Sequence, residues 1–142
     1  MIETNLHNDS TFLINNNSIN DLVSLVLNEY GYKEAVINII VTDDNSLREL
    51  KNEYFNENIF TDVIAFNIEQ EPFEGEVYIS YHRVEENAKI YKQTLQDEFK
   101  RVVIHGILHL CGYEDSTSIE KKNMSLADDK FLAMFSEGVI DK

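Results

Sequence analysis

The sequence has little cysteine and proline, and none of its apolar stretches is long. The one cysteine, Cys111, cannot form an intramolecular disulfide bond. The N-terminal region does not combine basic residues with a long apolar run, as a signal peptide does. The longest apolar stretch, around residues 36–41, is far shorter than the ~20 residues that a membrane span requires. We therefore expect a soluble, cytoplasmic protein with no membrane partner.

Basic side chains are also scarce. Lysine and arginine number 12 against 26 aspartate and glutamate residues, which gives a formal net charge of −14. This charge disfavours unaided attraction to polyanions such as nucleic acid or anionic lipid. Any RNA substrate must therefore be held by local features, and a basic partner protein could dock on an acidic face.

The rest of the composition is typical of one packed domain. A chain of 142 residues with 43% apolar side chains can bury a single core. No repeat, low-complexity tract or linker rich in proline, glycine and serine divides it. We predict one domain spanning residues 1–142.

Apolar periodicity and capping residues predict an α+β (mixed α/β) architecture, with about four strands in a mixed sheet and about five helices. The predicted strands are residues 11–14, 35–41, 61–67 and 76–80, with 35–41 at the centre of the sheet. One helix is predicted over residues 84–91, and the others begin at the N-caps Ser18, Asp43, Thr94 and either Ser116 or Thr117. Gly31 and Gly112 are predicted to end the first helix and the long helix.

The long helix carries the main chemical signal. His105 and His109 lie four residues apart, so their imidazoles share one helix face about one turn apart. Gly112 ends the helix, and a reversed chain can bring Asp115 to the same place. Two histidines and one carboxylate are typical ligands of a catalytic divalent metal, zinc first, and they leave a position free for water. The spacing therefore predicts a metal site of His105, His109 and Asp115.

Three other interpretations of the two histidines are less well supported by the sequence: core packing, a zinc protease site and an iron oxygenase site. A single histidine on a core helix is usually just buried and hydrogen-bonded, but here a helix stop and a carboxylate follow two of them. Gly106 stands where zinc proteases with an HExxH motif have their glutamate base, which disfavours ordinary peptide hydrolysis. Without a side chain, Gly106 leaves room for substrate or a neighbouring element. Iron oxygenases also use two histidines and a carboxylate, but the spacing here favours a hydrolase.

The segment HGILHLCGYED at residues 105–115, followed by Met124, resembles the HGxLHLxGYDH…M signature of the YbeY family, which are bacterial rRNA maturation factors. The likeness extends over most of the chain, through Leu50, Tyr54, TDVIAF at 61–66, GEVYIS at 75–80 and RVEENA at 83–88. This resemblance implies a metal-dependent, single-strand-specific endoribonuclease in 16S rRNA 3′ end maturation and ribosome quality control. The expected partners are rRNA, the small ribosomal subunit and its basic proteins.

Two positions depart from the family pattern. Asp115 stands where the family usually has a third histidine, and this harder ligand adds manganese, cobalt or nickel to zinc as candidate metals. Phe55 stands where many members carry an arginine. The phosphate contact that the resemblance implies for that arginine does not transfer to Phe55.

Two further side chains are candidate catalytic residues. Arg83 follows a predicted strand and matches a family arginine, so it could contact a phosphate or form only a surface salt bridge. Glu114, beside Asp115, could act as a general base or point into water. Asp62 and Glu76 could orient the ligand histidines by accepting their hydrogen bonds.

Four other residues are assigned less specific roles. Cys111 lies on another face of the helix, so we predict a core position for it. The resemblance suggests that Met124 forms a floor beneath the metal, whereas methionine in an amphipathic helix usually packs in the core. His7 and His82 have no companions and are predicted to be ordinary side chains.

The leading functional prediction is hydrolysis of an RNA phosphodiester bond, with the metal polarising a phosphoryl oxygen or activating water. A non-catalytic ribosome assembly factor stabilised by its metal is an alternative, favoured by the acidic charge. A metal-dependent hydrolase of another substrate, including a peptide, is a third.

Overall fold

The computed structural model describes residues 1–141, and its strands and helices alternate along most of the chain. They are β1 (Ile2–Asn8), β2 (Leu13–Ile14), α1 (Asn16–Glu29), β3 (Ala35–Thr42), α2 (Asp44–Phe55), β4 (Val63–Gln70), β5 (Phe73–Ser80), α3 (Tyr81–Ile90), α4 (Leu95–Leu110), α5 (Ser118–Met134) and β6 (Ile140–Asp141). Five helices and a four-stranded mixed sheet confirm the predicted α+β architecture. Every helix in this part of the chain is too short or too polar to span a bilayer.

The main sheet has the strand order β1-β3-β5-β4. β1 and β5 both run parallel to β3, whereas β4 pairs with β5 in the antiparallel sense. β3 therefore occupies an interior position, as its run of β-branched residues predicts. β2 and β6 form a separate, two-residue antiparallel pair.

One face of the sheet carries the hydrophobic core. Ile39 of β3 and its neighbour Val77 of β5 are fully buried on this face, which α1 and α4 cover. Successive strand residues point to opposite faces, so Tyr78 lies on the other side of the sheet. There Phe66 contacts Tyr78, and α2 covers the Phe66 ring with Tyr54 and Phe55. The sheet thus separates α4 from α2.

Two predictions near the N-terminus were wrong. Residues 11–14 contribute only the short β2, and the edge strand of the main sheet is β1. The β1 sequence, IETNLHN, has few apolar residues because an edge strand needs to bury little of its surface. Asn15, not Ser18, is the N-cap of α1, and its side chain accepts a hydrogen bond of 3.0 Å from the Ser18 backbone N–H.

The other helix boundaries follow local signals closely. Asp43 and Thr94 are N-caps as predicted, and Thr117 caps α5 in a capping box with Glu120. α3 starts at Tyr81, earlier than predicted, because Ser80 caps it directly at the end of β5. Gly112 ends α4 with a φ of +103°, a conformation that glycine adopts at little cost.

Candidate metal centre

The predicted ligands lie in a cleft of about 450 Å³ at the C-terminal end of α4. Residues of β4, the C-terminal end of α2 and the loop after α4 complete its walls. Ile104, Ile107 and Leu108 anchor α4 in the core with no exposed surface. The helix face that carries His105 and His109 is therefore held rigidly toward the cleft.

His105 and His109 are both partly buried, with ring centroids 4.9 Å apart. Asp115 reaches them because the turn at Gly112 reverses the chain. One carboxylate oxygen, Oδ2 of Asp115, lies 3.5 Å from Nε2 of His105 and 3.6 Å from Nε2 of His109. The three side chains therefore converge, and a ligand atom from each lies within 4.8 Å of the other two.

This geometry fits a tetrahedral metal site. Bonds of ~2.0–2.2 Å to nitrogen and oxygen place neighbouring tetrahedral ligands roughly 3.3–3.6 Å apart. The two nitrogen–oxygen distances to Asp115 fall in or at the edge of this range. Among residues 1–141 this is the one set of three histidine, cysteine or acidic side chains that converges in this way. His105, His109 and Asp115 could thus hold one divalent ion with a free position.

The other ring nitrogen of each histidine is also hydrogen-bonded. Nδ1 of His105 is 3.0 Å from Oδ2 of Asp128, and Nδ1 of His109 is 3.0 Å from the Tyr113 carbonyl oxygen. Both acceptors are oxygens, so each Nδ1 carries a proton to donate, and each Nε2 is left free for a metal. The rings are thereby held in the tautomer that metal binding requires.

The prediction that Asp62 and Glu76 accept the hydrogen bonds of the two ligand histidines was wrong. Glu76 instead accepts a hydrogen bond of 3.1 Å from the Tyr78 hydroxyl. Asp62 lines the cleft and accepts a long hydrogen bond of 3.4 Å from the Asn87 amide, not one from a histidine. Asp128 had a detectable signal in the sequence, since it occupies the buried face of α5 together with Met124, Ala127 and Phe131. A carboxylate in such an apolar stripe requires a specific partner.

The pKa values of the two histidines shift in opposite directions. Burial lowers the pKa of His105, but the hydrogen bond and charge of Asp128, with Asp62 and Asp115, outweigh burial and raise it overall. Burial and the neighbouring His105 lower the pKa of His109. Protons therefore compete with a metal mainly at His105.

Gly106 is required by packing rather than by substrate. A Cβ atom there would lie 2.6 Å from Cγ1 of Val77 and 3.1 Å from Cγ2 of Val63. The missing side chain lets α4 approach β4 and β5 closely, which confirms the neighbouring-element interpretation.

Arg83 forms an ion pair on α3. Its Nε lies 3.2 and 3.1 Å from the two carboxylate oxygens of Asp44, and its guanidinium stacks on Phe60 at 5.3 Å. Ser80 donates a further hydrogen bond of 2.6 Å to Asp44. Arg83 does not line the cleft. Its contact with a phosphate stays a prediction.

Glu114 is exposed and lines the cleft beside Asp115. The opposite wall carries Phe55, at the position of the family arginine, and Lys51, one turn earlier on α2. The Lys51 ammonium lies 4.7 Å from the Phe55 ring centre. Lys51 was not among the residues predicted from the sequence, although its spacing of four residues from Phe55 places both on one helix face.

The remaining residues have structural roles. Cys111 is partly buried, and burial raises its pKa to about 12, so its thiol stays protonated at neutral pH. Met124 is almost completely buried in the core. His7 lies near Asp9 on the exposed edge of the sheet, and His82 accepts a hydrogen bond from the Asp44 backbone N–H.

Comparison with known proteins shows the family to which the chain belongs. The model of the family described as Endoribonuclease YbeY matches residues 4–136. The chain belongs to the YbeY family. An Endoribonuclease YbeY of Flavobacterium psychrophilum is 38% identical over 136 residues, which cover 95% of this chain and 96% of that protein. The Endoribonuclease YbeY of Flavobacterium johnsoniae is 36% identical, over 87% of this chain and 89% of that protein.

A solved structure resembles this YbeY-family fold. The solution structure of a protein from Thermotoga maritima superimposes with a TM-score of 0.63 at 26% identity. The superposition covers 93% of this chain and 87% of the other. The fold that positions His105, His109 and Asp115 is therefore shared along nearly the whole chain.

Proposed function

We propose that the protein is a metal-dependent, single-strand-specific endoribonuclease that acts in 16S rRNA 3′ end maturation and ribosome quality control. The observation that carries this proposal is the convergence of His105, His109 and Asp115 in a chain of the Endoribonuclease YbeY family. An rRNA substrate also agrees with the cytoplasmic location expected from the sequence.

His105, His109 and Asp115 would hold the ion, through Nε2 of each histidine and a carboxylate oxygen. A divalent cation bound there supplies Lewis-acid chemistry, polarising a phosphoryl oxygen and activating water. Two imidazoles suit zinc, while the carboxylate also suits manganese, cobalt or nickel. We propose zinc first.

Lys51 and Phe55 suit the cleft for single-stranded RNA. The chain as a whole repels polyanions, and the cleft carries Asp62, Glu114 and Asp115 besides Lys51, so the proposed divalent ion together with Lys51 would supply the local attraction. Phe55 is 43% exposed, and an unpaired base can stack on the part of its ring that Phe66 and Lys51 leave uncovered. A base within a duplex has both faces covered by its neighbours and cannot stack there, which favours a single strand.

Glu114 and Arg83 are proposed as accessory catalytic groups. Glu114 lies at the cleft and could accept a proton from the attacking water. Arg83 would need to exchange its Asp44 partner for a phosphate of the substrate. Replacing Arg83 with lysine keeps the charge but loses the forked hydrogen bonds, so it tests the geometry alone.

The proposed activity is tested with purified wild-type protein on a labelled single-stranded RNA and on the same RNA in a duplex. We expect metal-dependent cleavage of the single strand and loss of cleavage in His109→Ala and Asp115→Ala. The loss should exceed the ~10–100-fold typical of a lost outer hydrogen-bond partner. His7→Ala, which changes an exposed histidine outside the cleft, is the matched control. Equal cleavage by all four proteins would refute the assignment.

The strong acidity supports a second candidate, a non-catalytic assembly factor. A charge of −14 favours docking on basic proteins of the small ribosomal subunit. Under this alternative, His109→Ala would bind small subunits as well as the wild type does, with a salt-sensitive affinity, and neither protein would cleave RNA. Sedimentation with small subunits at increasing salt separates the two functions.

A further inference from the structure

A second cavity of about 450 Å³ lies on the other side of His105. It shares Asp62 and His105 with the metal cleft, so the two spaces are neighbours around the same side chains. Its volume is within the ~300–1,000 Å³ typical of small-ligand sites. The chemistry proposed for the metal site leaves this cavity without a role.

The cavity contains a carboxylate that no protein group pairs. Glu98 of α4 is 3% exposed as a residue, but its carboxylate oxygens are not fully buried and face the cavity. No hydrogen bond joins them to another group within residues 1–141, so a ligand donor in the cavity could reach them. Asp62 and Asp128 also line the cavity, but Asn87 and His105 already donate to them. Glu98 is therefore the carboxylate that a ligand donor would serve.

The charges restrict what this donor can be. Three carboxylates against the single guanidinium of Arg101 disfavour a phosphate. The carboxylates do not converge as metal ligands do, since among residues 1–141 only His105, His109 and Asp115 bring their ligand atoms within 4.8 Å of one another. A neutral ligand whose edge carries N–H groups satisfies the acceptors without adding negative charge.

The mouth of the cavity favours a planar ligand. Tyr91, at the end of α3, is 62% exposed and lines the cavity together with the amides of Asn87 and Gln93. Exposed aromatic rings stack on unpaired bases, while buried polar groups read the base edge. A nucleobase of the RNA chain combines both properties.

We propose that this cavity binds the base of a nucleotide beside the scissile phosphate and selects guanine through Glu98. The inference rests on the proposed nuclease function. Guanine presents two adjacent donors, N1–H and the 2-amino group, which match the two oxygens of one carboxylate. Adenine, cytosine and uracil lack this adjacent pair of donors on their Watson–Crick edges.

The protonation state of Glu98 sets the pH of the test. Burial raises the pKa of Glu98 to about 7, with the nearby Asp62 adding to the effect. At pH 8 the carboxylate is mostly ionised and can accept both hydrogen bonds, so the test is made at that pH.

The first test uses wild-type protein and two labelled oligoadenylates, one with a single internal guanosine and one with inosine at that position. Inosine keeps N1–H but lacks the 2-amino group. We expect cleavage next to the guanosine. The kcat/KM for the inosine substrate should be about 10- to 100-fold lower, because losing one hydrogen bond to a charged group lowers the rate by about that factor. Equal rates and no positional preference would overturn the proposal.

The second test combines these substrates with Glu98→Gln. The amide has one acceptor and one donor, so it cannot accept both guanine N–H groups. We expect the guanosine-to-inosine ratio to fall to about twofold or less in this variant. Asp97→Asn, an exposed neighbour on α4 with the same change of charge, should keep the wild-type ratio. A guanosine-to-inosine ratio in Glu98→Gln as large as that of the wild type would refute the role of Glu98.

Failure of the proposed function gives a different result. If the wild type cleaves neither oligonucleotide, the nuclease proposal fails, and fluorescence anisotropy of the same two labelled RNAs tests the cavity alone. Tighter binding of the guanosine RNA by the wild type, but not by Glu98→Gln, supports the base site. Equal affinities overturn it.

Discussion

Replacing Asp128 with alanine tests how strongly the carboxylate behind His105 controls metal binding. Oδ2 of Asp128 lies 3.0 Å from Nδ1 of His105, and the Asp128 side chain is only 5% exposed. In the variant, the His105 ring loses the bond that fixes its tautomer and its orientation toward Asp115.

The expected magnitude follows from this geometry. A buried hydrogen bond to a charged group contributes about 1.5–3 kcal/mol, which corresponds to a metal Kd raised about 10- to 100-fold. The fold itself should tolerate the change, because Asp128 also has a buried oxygen, Oδ1, without a partner among residues 1–141. Arg101 keeps its 2.9 Å contact with Asp129.

The assay is competition for zinc against a coloured chelator at pH 7.5, with folding monitored by circular dichroism. Asp128→Asn should lie between the wild type and Asp128→Ala, because its amide oxygen still accepts the hydrogen bond from His105 but carries no charge. Asp129→Ala, an adjacent residue that is 65% exposed, should bind zinc like the wild type. A folded Asp128→Ala with unchanged zinc affinity would refute the role of this carboxylate.

Three further predictions concern packing, protonation and metal choice. Gly106→Ala should lower the free energy of unfolding in urea by about 1–2 kcal/mol, since overpacking against Val77 outweighs the gain in helix propensity. The same change should cost less in a Val77→Ala background, where the clashing methyl groups are absent. A more stable single variant would contradict this packing. The folded-state pKa of Glu98 is raised from 4.5 to about 7, so its contribution to stability is present below pH 4.5 and lost as the pH rises through 7. Relative to Glu98→Gln, the wild type should therefore lose up to about 3 kcal/mol between pH 4.5 and 8 in denaturant titrations, and a pH-independent difference would exclude the effect. Asp115→His should shift the competition between zinc and manganese toward zinc, because imidazole replaces a harder oxygen ligand, and an unchanged preference would show that Asp115 is not a ligand.

Local signals were sufficient to predict much of the fold. Asp43, Thr94 and Thr117 cap helices through contacts within three residues, so a short stretch of sequence determines them. β3 was predictable because its buried β-branched run is continuous. β1 was not, because its pairing with β3 spans more than thirty residues and its own pattern is mostly polar.

In the candidate site too, the residues that are close in sequence were predictable and those brought together by helix packing were not. His105, His109 and Asp115 are close in sequence, and the helix period together with the Gly112 turn brings them together. The partner of His105 comes from α5, so its identity depends on how two helices pack and not on spacing. The role proposed for Glu98 likewise depends on the cavity that α3, α4 and α5 form together, and sequence spacing does not predict that cavity.

The proposed function depends most directly on one metal ion bound by three side chains. We would measure the zinc content of wild type, His109→Ala and Asp115→Ala after equilibrium dialysis against limiting free zinc at pH 7.5. We predict one zinc per wild-type chain and a large deficit in both variants. Zinc absent from the wild type, or retained equally by both variants, would contradict the proposed site.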